Sequence, residues 1–460
     1  MTSTLKQSGA SGSDDSDASP PVPGLLLVFS GRSPLWAVLP LQDREIRLGR
    51  DSLEAVVQDP RISRRHVRVF LKDERFYAVD LGSLNGTSVD GRPAAANEPQ
   101  PIERCLRIGH TLFLVSGDVR AQMDSAIVTR AGRVIGPHMY RLYQAIARLS
   151  QSTPTLHITG ESGVGKEDAA RSFHASSSRK SGPFIAVNCA AIPEGIAERL
   201  LFGVKRGAFS GADADAQGYV QAADGGTLFL DELAELHGAV QAKLLRVLEN
   251  REVQAVGAVR ATPVDIRVCS ASNAALRAQV AAGKLREDLY YRIGRPEIAI
   301  PPLRERLEEL PWLVDGALKE MEGAPPAHYS FIDACLLRPW PGNIRELLTE
   351  VRAAAQEAIA ALSPRIEAKH LAAAAGQVIR FQAATAPAPS PAPPPAIHSS
   401  PALRSEDEIK RSEIEETLRK TGGNVSKAAR ALEMHRNSLR RLMDRYGIDL
   451  SRLAGLNERY

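Results

Sequence analysis

The sequence predicts a multidomain protein with a β-sandwich, then an α/β domain around a phosphate-binding loop, then an all-α helix-turn-helix. Three observations lead to this prediction. Short β-type runs separated by turn residues fill residues 24–117, and a strand, a glycine-rich loop and a helix start follow at 155–171. Two short, basic helices are expected beyond residue 405. A chain of 460 residues is also too long for one core, so about three domains are expected.

Composition places the chain among ordinary globular proteins. Hydrophobic residues make up 43%, charged residues 24%, and the net charge of +4 argues against a protein that coats polyanions generally. Four cysteines (Cys105, Cys189, Cys269, Cys335) lack the paired spacing of a disulfide framework or a zinc site. Since the sequence has neither an apolar run of membrane-spanning length nor a signal-peptide pattern, we expect a cytoplasmic protein with no membrane contact.

Changes in composition divide the chain. The predicted segments are a disordered tail (1–23), a β-sandwich (24–117), a linker (118–131), an α/β domain (132–378), a Pro/Ala-rich linker (379–403) and a helical domain (404–460). Within the sandwich, strands are predicted at Leu25–Phe29, Leu35–Leu39, Val67–Phe70, Phe76–Val79 and Thr111–Val115.

The glycine-rich loop lies between a short apolar strand, Thr155–Thr159, and a helix start. Glycines let the backbone N–H groups turn inward, the helix dipole favours negative charge, and Lys166 adds a mobile cation. The loop therefore predicts a nucleotide phosphate site, with an ordinary turn as the alternative. Its residues are Gly160, Glu161, Ser162, Gly163, Val164, Gly165, Lys166 and Glu167. Glu167 stands where most such loops carry the Ser or Thr that touches magnesium.

Polar residues end three further predicted strands. Asp231 and Glu232 follow an apolar run, while Asn188 and Asn273 end two others. Ligands of open α/β sheets bind at the carboxyl ends of strands, so a nucleotide with Mg²⁺ is expected here. Asp231 is the candidate magnesium ligand, Glu232 the group that polarises the attacking water, and Asn273 a sensor of the γ-phosphate. The alternative for the acidic pair is a helix cap.

Three arginines are candidates for binding nucleotide charge. Arg286 and Arg292 share one charged segment, and arginines supplied by a neighbouring subunit can neutralise transition-state charge. Surface ion pairing is the alternative for these two. Arg345 starts a helix after a Pro-Gly break and is a candidate nucleotide sensor.

The loops of the sandwich also carry phosphate-binding residue types. The candidates are Arg50, Ser63, Arg64, Ser83 and Asn85. Gly49-Arg50, Ser63-x-x-His66 and Asn85-Gly86-Thr87 closely resemble, in order and spacing, the elements of forkhead-associated (FHA) domains. The resemblance implies phosphothreonine-peptide binding, with Asn85 holding the peptide backbone and His66 buried as a loop-orienting group. The alternative interpretation is that these polar residues only stabilise the turns of the sandwich.

A small-residue loop with an aromatic residue completes the α/β domain. It comprises Gly207, Ala208, Phe209, Ser210, Gly211 and Ala212. With the phosphate loop and the strand-end residues, it resembles the AAA+ domain of sigma-54-dependent transcription activators, the bacterial enhancer-binding proteins. In that family this loop reads GAFTGA and contacts sigma-54. Ser210 therefore replaces Thr, and Gly203-Val204-Lys205-Arg206-Gly207 replaces the family's Gly-His-Glu-x-Gly.

This resemblance implies the remaining assignments. They include ATP and Mg²⁺ as cofactors, an α-helical lid and a homo-oligomeric ring, most simply a hexamer. Lys166 and Asp231 become nucleotide and magnesium residues, Glu232 the catalytic acid, and Asn188 the residue that restrains Glu232. Arg286 and Arg292 become trans-acting fingers and Arg345 the second sensor. Glu at position 167 becomes a family feature.

The last segment predicts a helix-turn-helix. One helix is expected over Asp407–Lys420, a second from an Asn424 N-cap through Ala431, and a third over Arg436–Arg445. Gly-Gly-Asn-Val-Ser-Lys-Ala-Ala-Arg resembles the Fis-type domain that ends these activators. The predicted DNA contacts are His435, Arg436, Asn437, Arg440, Arg441 and Arg445.

The sequence therefore favours a phosphothreonine-responsive activator that hydrolyses ATP to remodel sigma-54 RNA polymerase while bound to upstream enhancer-type DNA. A phosphothreonine-containing protein or a Ser/Thr kinase is the expected signalling partner. One alternative is a DNA-binding regulator or repressor that no longer engages sigma-54, which Ser210 favours. A second is a general AAA+ remodeller of protein substrates.

Overall fold

The computed structural model describes residues 20–123, 125–130, 132–209, 213–378, 414–421, 424–432, 439–440, 442–443, 446 and 448. The chain divides into two compact units, one ending at Arg380 and one beginning at Phe381. Most of the predicted N-terminal tail and all of the predicted Pro/Ala-rich linker lie outside the described residues.

Two antiparallel sheets form the first domain and confirm the predicted β-sandwich. Its strands are β1 (Gly24–Ser30), β2 (Ser33–Pro40), β3 (Glu45–Leu48), β4 (Val67–Lys72), β5 (Arg75–Asp80), β6 (Thr87–Val89), β7 (Arg92–Pro93), β8 (Gln100–Ile102), β9 (Cys105–Ile108) and β10 (Thr111–Ser116). One sheet has the order β2-β1-β10-β9-β6-β7 and the other β3-β4-β5-β8. Helix α1 (Arg50–Leu53) follows β3, and α2 (Arg120–Met123) lies within the predicted linker.

Strand β1 is buried on both of its faces. Side chains alternate along a strand, so Leu25 and Leu27 enter the sandwich core while Leu26 and Val28 point the opposite way. The second pair packs into the core of a helical lid that belongs to the next domain. This double burial explains why the strand reads as an unbroken apolar run.

The second domain is an α/β fold, as predicted. Its elements are β11 (Val128–Arg130), β12 (Arg133–Ile135), α3 (Pro137–Ser152), β13 (Thr155–Thr159), α4 (Lys166–Ala175), β14 (Phe184–Asn188), α5 (Glu194–Phe202), α6 (Tyr219–Ala222), β15 (Thr227–Asp231), α7 (Gly238–Asn250), β16 (Glu252–Val253), β17 (Thr262–Pro263), β18 (Arg267–Ser272), α8 (Leu276–Ala281), α9 (Glu287–Ile293) and β19 (Glu297–Ala299). Five of these strands form a parallel sheet with the order β14-β15-β18-β13-β19.

The register of the parallel sheet gathers its strand ends at one edge. Asn188 pairs with Asp231, Asp231 with Ala271, and Ser272 with Thr159. Apolar clusters cover both faces of the sheet, so its strands are buried on both sides. The polar residues that follow these strands therefore lie together at the carboxyl edge.

Three helices form the lid: α10 (Leu310–Lys319), α11 (Tyr329–Leu336) and α12 (Asn343–Ala360). Trp340, Phe331 and Leu347 are fully buried at its centre. Single-turn 3₁₀ helices lie at Cys189–Ala191, Leu233–Glu235, Leu303–Glu305, Leu307–Glu309 and Ala368–His370.

The second unit contains short helical pieces around a small core. Residues 414–420 are helical, and α13 (Val425–Ala431) begins after Asn424, whose side-chain oxygen accepts hydrogen bonds from Ser426 N and Lys427 N. This is the predicted N-cap. Ile414, Leu418 and Ala428 are buried in this core. Residues 407–413 and most of the predicted third helix lie outside the described residues. No helix in the described part of the chain is long and apolar enough to cross a membrane.

A buried histidine in the parallel sheet makes stability depend on pH. His157 Nδ1 lies 2.9 Å from Ser270 Oγ, and burial lowers the pKa of His157 from 6.5 to about 4. Between these values the unfolded chain binds more protons than the folded chain, so unfolding free energy falls as pH drops.

We therefore expect the stability advantage of wild type over His157→Asn to shrink by about 3 kcal/mol between pH 7 and pH 4. Chemical denaturation of both proteins across this range measures the difference. A gap that stays constant with pH would show that His157 is not held neutral in the fold.

Candidate functional site

The glycine-rich loop forms a tight cradle at the start of α4. Gly165 has φ of +100° and Gly163 has φ of +77°, backbone conformations that favour glycine. A Cβ at position 163 would lie 2.3 Å from Gly342 O, so a side chain there would collide with the backbone of the lid. Lys166 is 8% exposed, and its Nζ donates to Gly160 O at 3.0 Å. The loop thus has the curled backbone and buried cation of a phosphate cradle.

The acidic pair lies beside this lysine, at the end of β15. Glu232 Oε1 is 3.6 Å from Lys166 Nζ, and its Oε2 accepts a hydrogen bond from Asn273 N. Asp231 Oδ1 is buried and has no hydrogen-bond partner among the described residues. A buried carboxylate oxygen without a donor fits a hard cation such as Mg²⁺, which prefers oxygen ligands.

The two asparagines at the strand ends differ in their contacts. Asn188 Oδ1 accepts from Ala190 N at 3.1 Å and caps the 3₁₀ turn after β14. The structure records no hydrogen bond between Asn188 and Glu232, both of which are described. Asn273 reaches Glu232 through its backbone N–H rather than its side chain. Both asparagines are exposed at the carboxyl edge.

Asn343, at the start of α12, fastens the lid to the phosphate loop. It is fully buried with φ of +54°, a conformation that Asn tolerates better than most residues. Its Oδ1 accepts from Leu303 N at 2.8 Å, while its Nδ2 donates to Ser162 O at 3.0 Å and Glu161 Oε2 at 3.1 Å. One amide therefore joins three separate segments of the chain.

Two further donors hold the next carbonyl groups of the loop. Ile344 N donates to Gly163 O at 3.1 Å, and Arg306 Nη2 donates to Val164 O at 2.7 Å. Arg306 is 2% exposed and pairs with fully buried Glu309, whose Oε1 in turn accepts from Gly136 N before α3. Because an inward-turned loop directs its carbonyls outward, these donors satisfy groups that would otherwise be buried unpaired.

Charged side chains complete the contact between loop and lid. Arg304 forms a bidentate ion pair with Glu161, at 2.7 and 2.8 Å, and hydrogen bonds from Arg304 and then Asn343 lower the pKa of Glu161. Arg345 Nη1 donates to Ser162 Oγ at 3.1 Å, which places this predicted sensor at the phosphate loop. Glu167 is exposed and pairs with Arg171.

Sequence reasoning missed Asn343, Arg304 and Arg306. Their side chains meet the loop only through tertiary contacts across 142 to 182 residues of sequence. The available signals were two arginines after a Pro-Pro break and an asparagine after Pro-Gly.

Of the predicted finger arginines, Arg286 is the N-cap of α9 and Arg292 lies in its last turn, and both are exposed. Arg286 forms a bidentate pair with Asp288 at 2.7 and 3.0 Å, and this hydrogen bonding raises its pKa. Arg292 Nη2 donates to Leu248 O at 2.8 Å. Both guanidinium groups thus have surface partners within the chain.

The predicted phosphopeptide residues meet at one end of the sandwich. Arg50 donates to Ile62 O and Pro60 O, each at 3.0 Å, so its guanidinium shapes the loop before Ser63. Asn85 Nδ2 donates to Arg61 O in the same loop at 2.8 Å. Arg64 is exposed and makes no hydrogen bond or ion pair with any described residue, which leaves its charge available to a ligand.

Buried polar groups support these loops from below. His66 is fully buried, its Nδ1 accepts from Ser63 N, and its Nε2 lies 3.1 Å from Gly86 O, which matches the loop-orienting role predicted for it. Burial lowers the pKa of His66, which keeps the ring neutral. Ser63 Oγ accepts from Leu84 N, and Ser83 Oγ donates to Asp80 Oδ2, so both hydroxyls also brace the loops.

The small-residue loop is partly described. Gly207 has φ of +80°, Ala208 packs on Gly257, and Phe209 is 42% exposed beside a cleft of about 660 Å³. Lys205 pairs with Asp215 at the loop base. Ser210, Gly211 and Ala212 lie outside the described residues. So do the predicted DNA contacts His435, Arg436, Asn437, Arg441 and Arg445, whereas Arg440 is described and exposed.

Comparison with known families agrees with this architecture. Residues 134–299 match the sigma-54 interaction domain, residues 46–109 the FHA domain, and residues 407–446 the Fis family of bacterial regulatory proteins.

Individual relatives are similar to this chain over part of their length. The response regulator protein PilR of Pseudomonas aeruginosa is 37% identical over 327 residues, which cover 69% of this chain and 70% of PilR. The Nif-specific regulatory protein of Herbaspirillum seropedicae is 46% identical over 45% of this chain and 40% of its own length. NtrX from Brucella abortus, solved in complex with ATP, is 28% identical over 72% of this chain and 71% of its own, with a TM-score of 0.48.

The fold and site define a AAA+ domain, with a phosphate loop under a helical lid, between a β-sandwich and a helix-turn-helix segment. The chain belongs to the sigma-54-dependent transcription activators, the bacterial enhancer-binding proteins. It spans about half the length of several curated relatives, from 40% to 57%.

A substitution at Glu232 tests the catalytic role predicted for the acidic pair. We expect Glu232→Gln to lower the ATP turnover number at least about a hundredfold while nucleotide still binds, because the amide cannot accept a proton. Steady-state hydrolysis and nucleotide titration measure the two effects. Glu235→Gln, in the exposed next turn, is the matched control and should stay near wild type. Unimpaired turnover in Glu232→Gln would remove Glu232 from this role.

A substitution at Asn343 tests whether the contact between lid and phosphate loop supports nucleotide binding. We expect Asn343→Ala to weaken nucleotide binding by roughly tenfold, because unpaired buried carbonyls cost on the order of 1–3 kcal/mol. Titration with a fluorescent ATP analogue measures the affinity, and circular dichroism checks the fold. Asn250→Ala, at the exposed end of α7, should bind like wild type. Equal affinities for both variants would contradict a positioning role for Asn343.

Proposed function

We propose that this protein hydrolyses ATP and uses the reaction to remodel sigma-54 RNA polymerase while it is bound to upstream DNA. The observation that carries the proposal is the meeting of Lys166, Asp231 and Glu232 under a lid that delivers Arg345. Family membership and the loop that carries Phe209 support sigma-54 as the target on which ATP hydrolysis acts. The proposed setting is the cytoplasm, and the proposed assembly is a homo-oligomeric ring.

The chain's own residues divide the work on ATP. The inward N–H groups of the loop and Lys166 bind the phosphates, and Arg345 adds a second cation from the lid. Asp231, whose buried Oδ1 has no partner among the described residues, would hold Mg²⁺, which supplies charge neutralisation at the phosphates. Glu232 accepts the proton of the attacking water. Lys166 moves from its contacts with Gly160 O and Glu232 to the phosphates.

The arginine fingers would act between subunits. Arg286 and Arg292 are exposed on the segment around α9, and they would contact the nucleotide of a neighbouring copy. In the single chain Arg286 is held by Asp288. Ring assembly would therefore exchange this intrachain pair for contact with the neighbour's phosphates.

Contact with sigma-54 is assigned to the small-residue loop. Phe209 is an exposed aromatic residue two positions after Gly207, whose φ of +80° favours glycine, and an exposed aromatic on a small-residue loop suits insertion into a partner surface. Ser210 keeps the hydroxyl of the family's Thr but lacks its methyl group. The alternative, a DNA-binding regulator that no longer engages sigma-54, rests on this one difference.

The sandwich would supply the signal input and the terminal helices the DNA contact. Arg64 offers a guanidinium that makes no hydrogen bond or ion pair with any described residue, while Arg50, Ser63, Ser83 and Asn85 shape the loops around it. A phosphothreonine peptide, from a partner protein or a Ser/Thr kinase, fits this site. The basic helix-turn-helix segment would bind enhancer-type DNA.

Open-complex formation tests the proposal. The full chain, sigma-54 RNA polymerase, ATP and supercoiled DNA with a sigma-54 promoter should give permanganate-reactive promoter DNA. Phe209→Ala should abolish this signal and keep ATP hydrolysis. A protein that hydrolyses ATP and footprints DNA but never opens the promoter, even as Ser210→Thr or with phosphopeptide, would favour the alternative.

Arg64 tests the phosphopeptide assignment. We expect Arg64→Ala to weaken binding of phosphothreonine peptides at least about tenfold, because charged hydrogen bonds contribute on the order of 1.5–3 kcal/mol. A phosphothreonine peptide library, with an unphosphorylated library as reference, measures binding to the full chain. Arg75→Ala, at the opposite end of the sandwich, is the matched control. Equal loss in both variants would point to bulk charge instead of a site.

A further inference from the structure

The sandwich lies directly on the lid of the AAA+ domain. His110, in the turn between β9 and β10, stacks on Tyr329 at the start of α11 with ring centroids 4.4 Å apart and an interplanar angle of 22°. Trp36 of β2 meets Trp312 of α10 edge-on at 6.3 Å. Leu26 and Leu114 add apolar area to the same contact. This docking surface is a packed core shared by the two domains.

Polar contacts of Asp333 fix the relative position of the sandwich and the lid at the docking surface. Asp333 of α11 accepts from Cys105 Sγ, and its other oxygen lies 3.4 Å from Arg107 Nε. The Arg107 guanidinium also lies 5.2 Å from the centre of the Tyr329 ring. Burial raises the pKa of Asp333, although Arg107 opposes this rise. The Arg107–Asp333 pair is largely shielded from solvent, with the two side chains 25% and 13% exposed, so separating the domains here would leave Asp333 without its partner.

One buried carboxylate connects the docking surface with the phosphopeptide loop. Asp59 is 6% exposed, and its Oδ2 accepts from His110 N at 2.6 Å and from Thr111 Oγ1 at 3.2 Å. Its Oδ1 accepts from Arg61 N at 3.0 Å. Asp59 therefore holds the turn that stacks on the lid and, with its other oxygen, the loop on which Arg50 and Asn85 converge.

The lid continues the connection to the nucleotide. Helices α11 and α12 share one buried core around Trp340, and α12 begins at Asn343 and carries Arg345. These two residues contact Ser162 of the phosphate loop. A continuous set of contacts thus runs from Arg61 through Asp59, His110 and Tyr329 to the nucleotide site.

We propose that the face of the sandwich formed by Trp36, Cys105, Arg107 and His110 is an intramolecular docking surface for the lid, through which the phosphopeptide loop and the nucleotide site influence each other. The proposal rests on the proposed function for its two ligands, a phosphothreonine peptide and ATP. Because coupling between sites is reciprocal, nucleotide must alter the loop at 59–66 as phosphopeptide alters the nucleotide site.

Hydrogen exchange on the full chain tests the surface without a known peptide. Saturating the protein with the slowly hydrolysed analogue ATPγS should change amide exchange in residues 59–66 by about fivefold or more, the lower range of typical coupling. His110→Ala removes the ring that the sandwich contributes to the stack, and Tyr329→Ala removes the ring that the lid contributes. Each should abolish the response of residues 59–66 while ATPγS affinity persists, and the double variant should add nothing further.

Tyr140→Ala is the matched control, since Tyr140 is exposed on α3 and takes part in none of the ring or core contacts of the docking surface. It should keep the wild-type response. Exchange in residues 59–66 that ignores ATPγS in wild type, or that still responds in both stack variants, would overturn the proposal.

A second measurement separates this proposal from the phosphopeptide assignment. Phosphothreonine peptides selected from the library should change ATP turnover in wild type and leave turnover in Tyr329→Ala unchanged while still binding. If no phosphopeptide binds but ATPγS still changes exchange in residues 59–66, the peptide assignment fails and the docking surface stands. If peptides bind and ATPγS has no effect on these residues, the docking proposal fails and the peptide assignment stands.

Discussion

The hydrogen bonds that the lid region donates to the phosphate loop set the geometry of the whole first unit. A loop that turns its N–H groups toward a phosphate must send its carbonyls outward, where they need donors. Asn343, Ile344 and Arg306 supply donors to three successive carbonyls, Ser162 O, Gly163 O and Val164 O. The shape of the nucleotide cradle and the position of the lid are therefore one structural property. A lid displaced from this position would leave these carbonyls without their partners.

The other side of the lid is covered by the sandwich, and this arrangement gives the lid two tasks. Its core is completed by Leu26, Val28 and Leu114 of the sandwich, so the domains share apolar burial as well as the Arg107–Asp333 pair. A signal domain attached by a flexible tether alone would share neither. The lid thus lies between a loop suited to a phosphorylated peptide and a loop suited to a nucleotide.

The sequence predicted those elements and contacts of the fold that local pattern determines. Each of the five strands predicted in the sandwich lies within an observed strand, the Asn424 cap forms, and Lys166, Asp231 and Glu232 meet at the sheet edge. It failed for Asn343, Arg304 and Arg306, because their partners are distant in sequence and no period or spacing marks them. The sequence also did not predict the direction of individual side chains. Asn188 caps a turn, and the Ser83 hydroxyl points to Asp80.

The central claim, that the lid shapes the phosphate loop, is tested most directly by amide hydrogen exchange of residues 160–166 without nucleotide. The account predicts exchange about tenfold faster in Asn343→Ala than in wild type, since loss of the amide removes the donor to Ser162 O and one partner of Glu161, which keeps only its ion pair with Arg304. Indistinguishable exchange in the two proteins, with the fold intact, would contradict it.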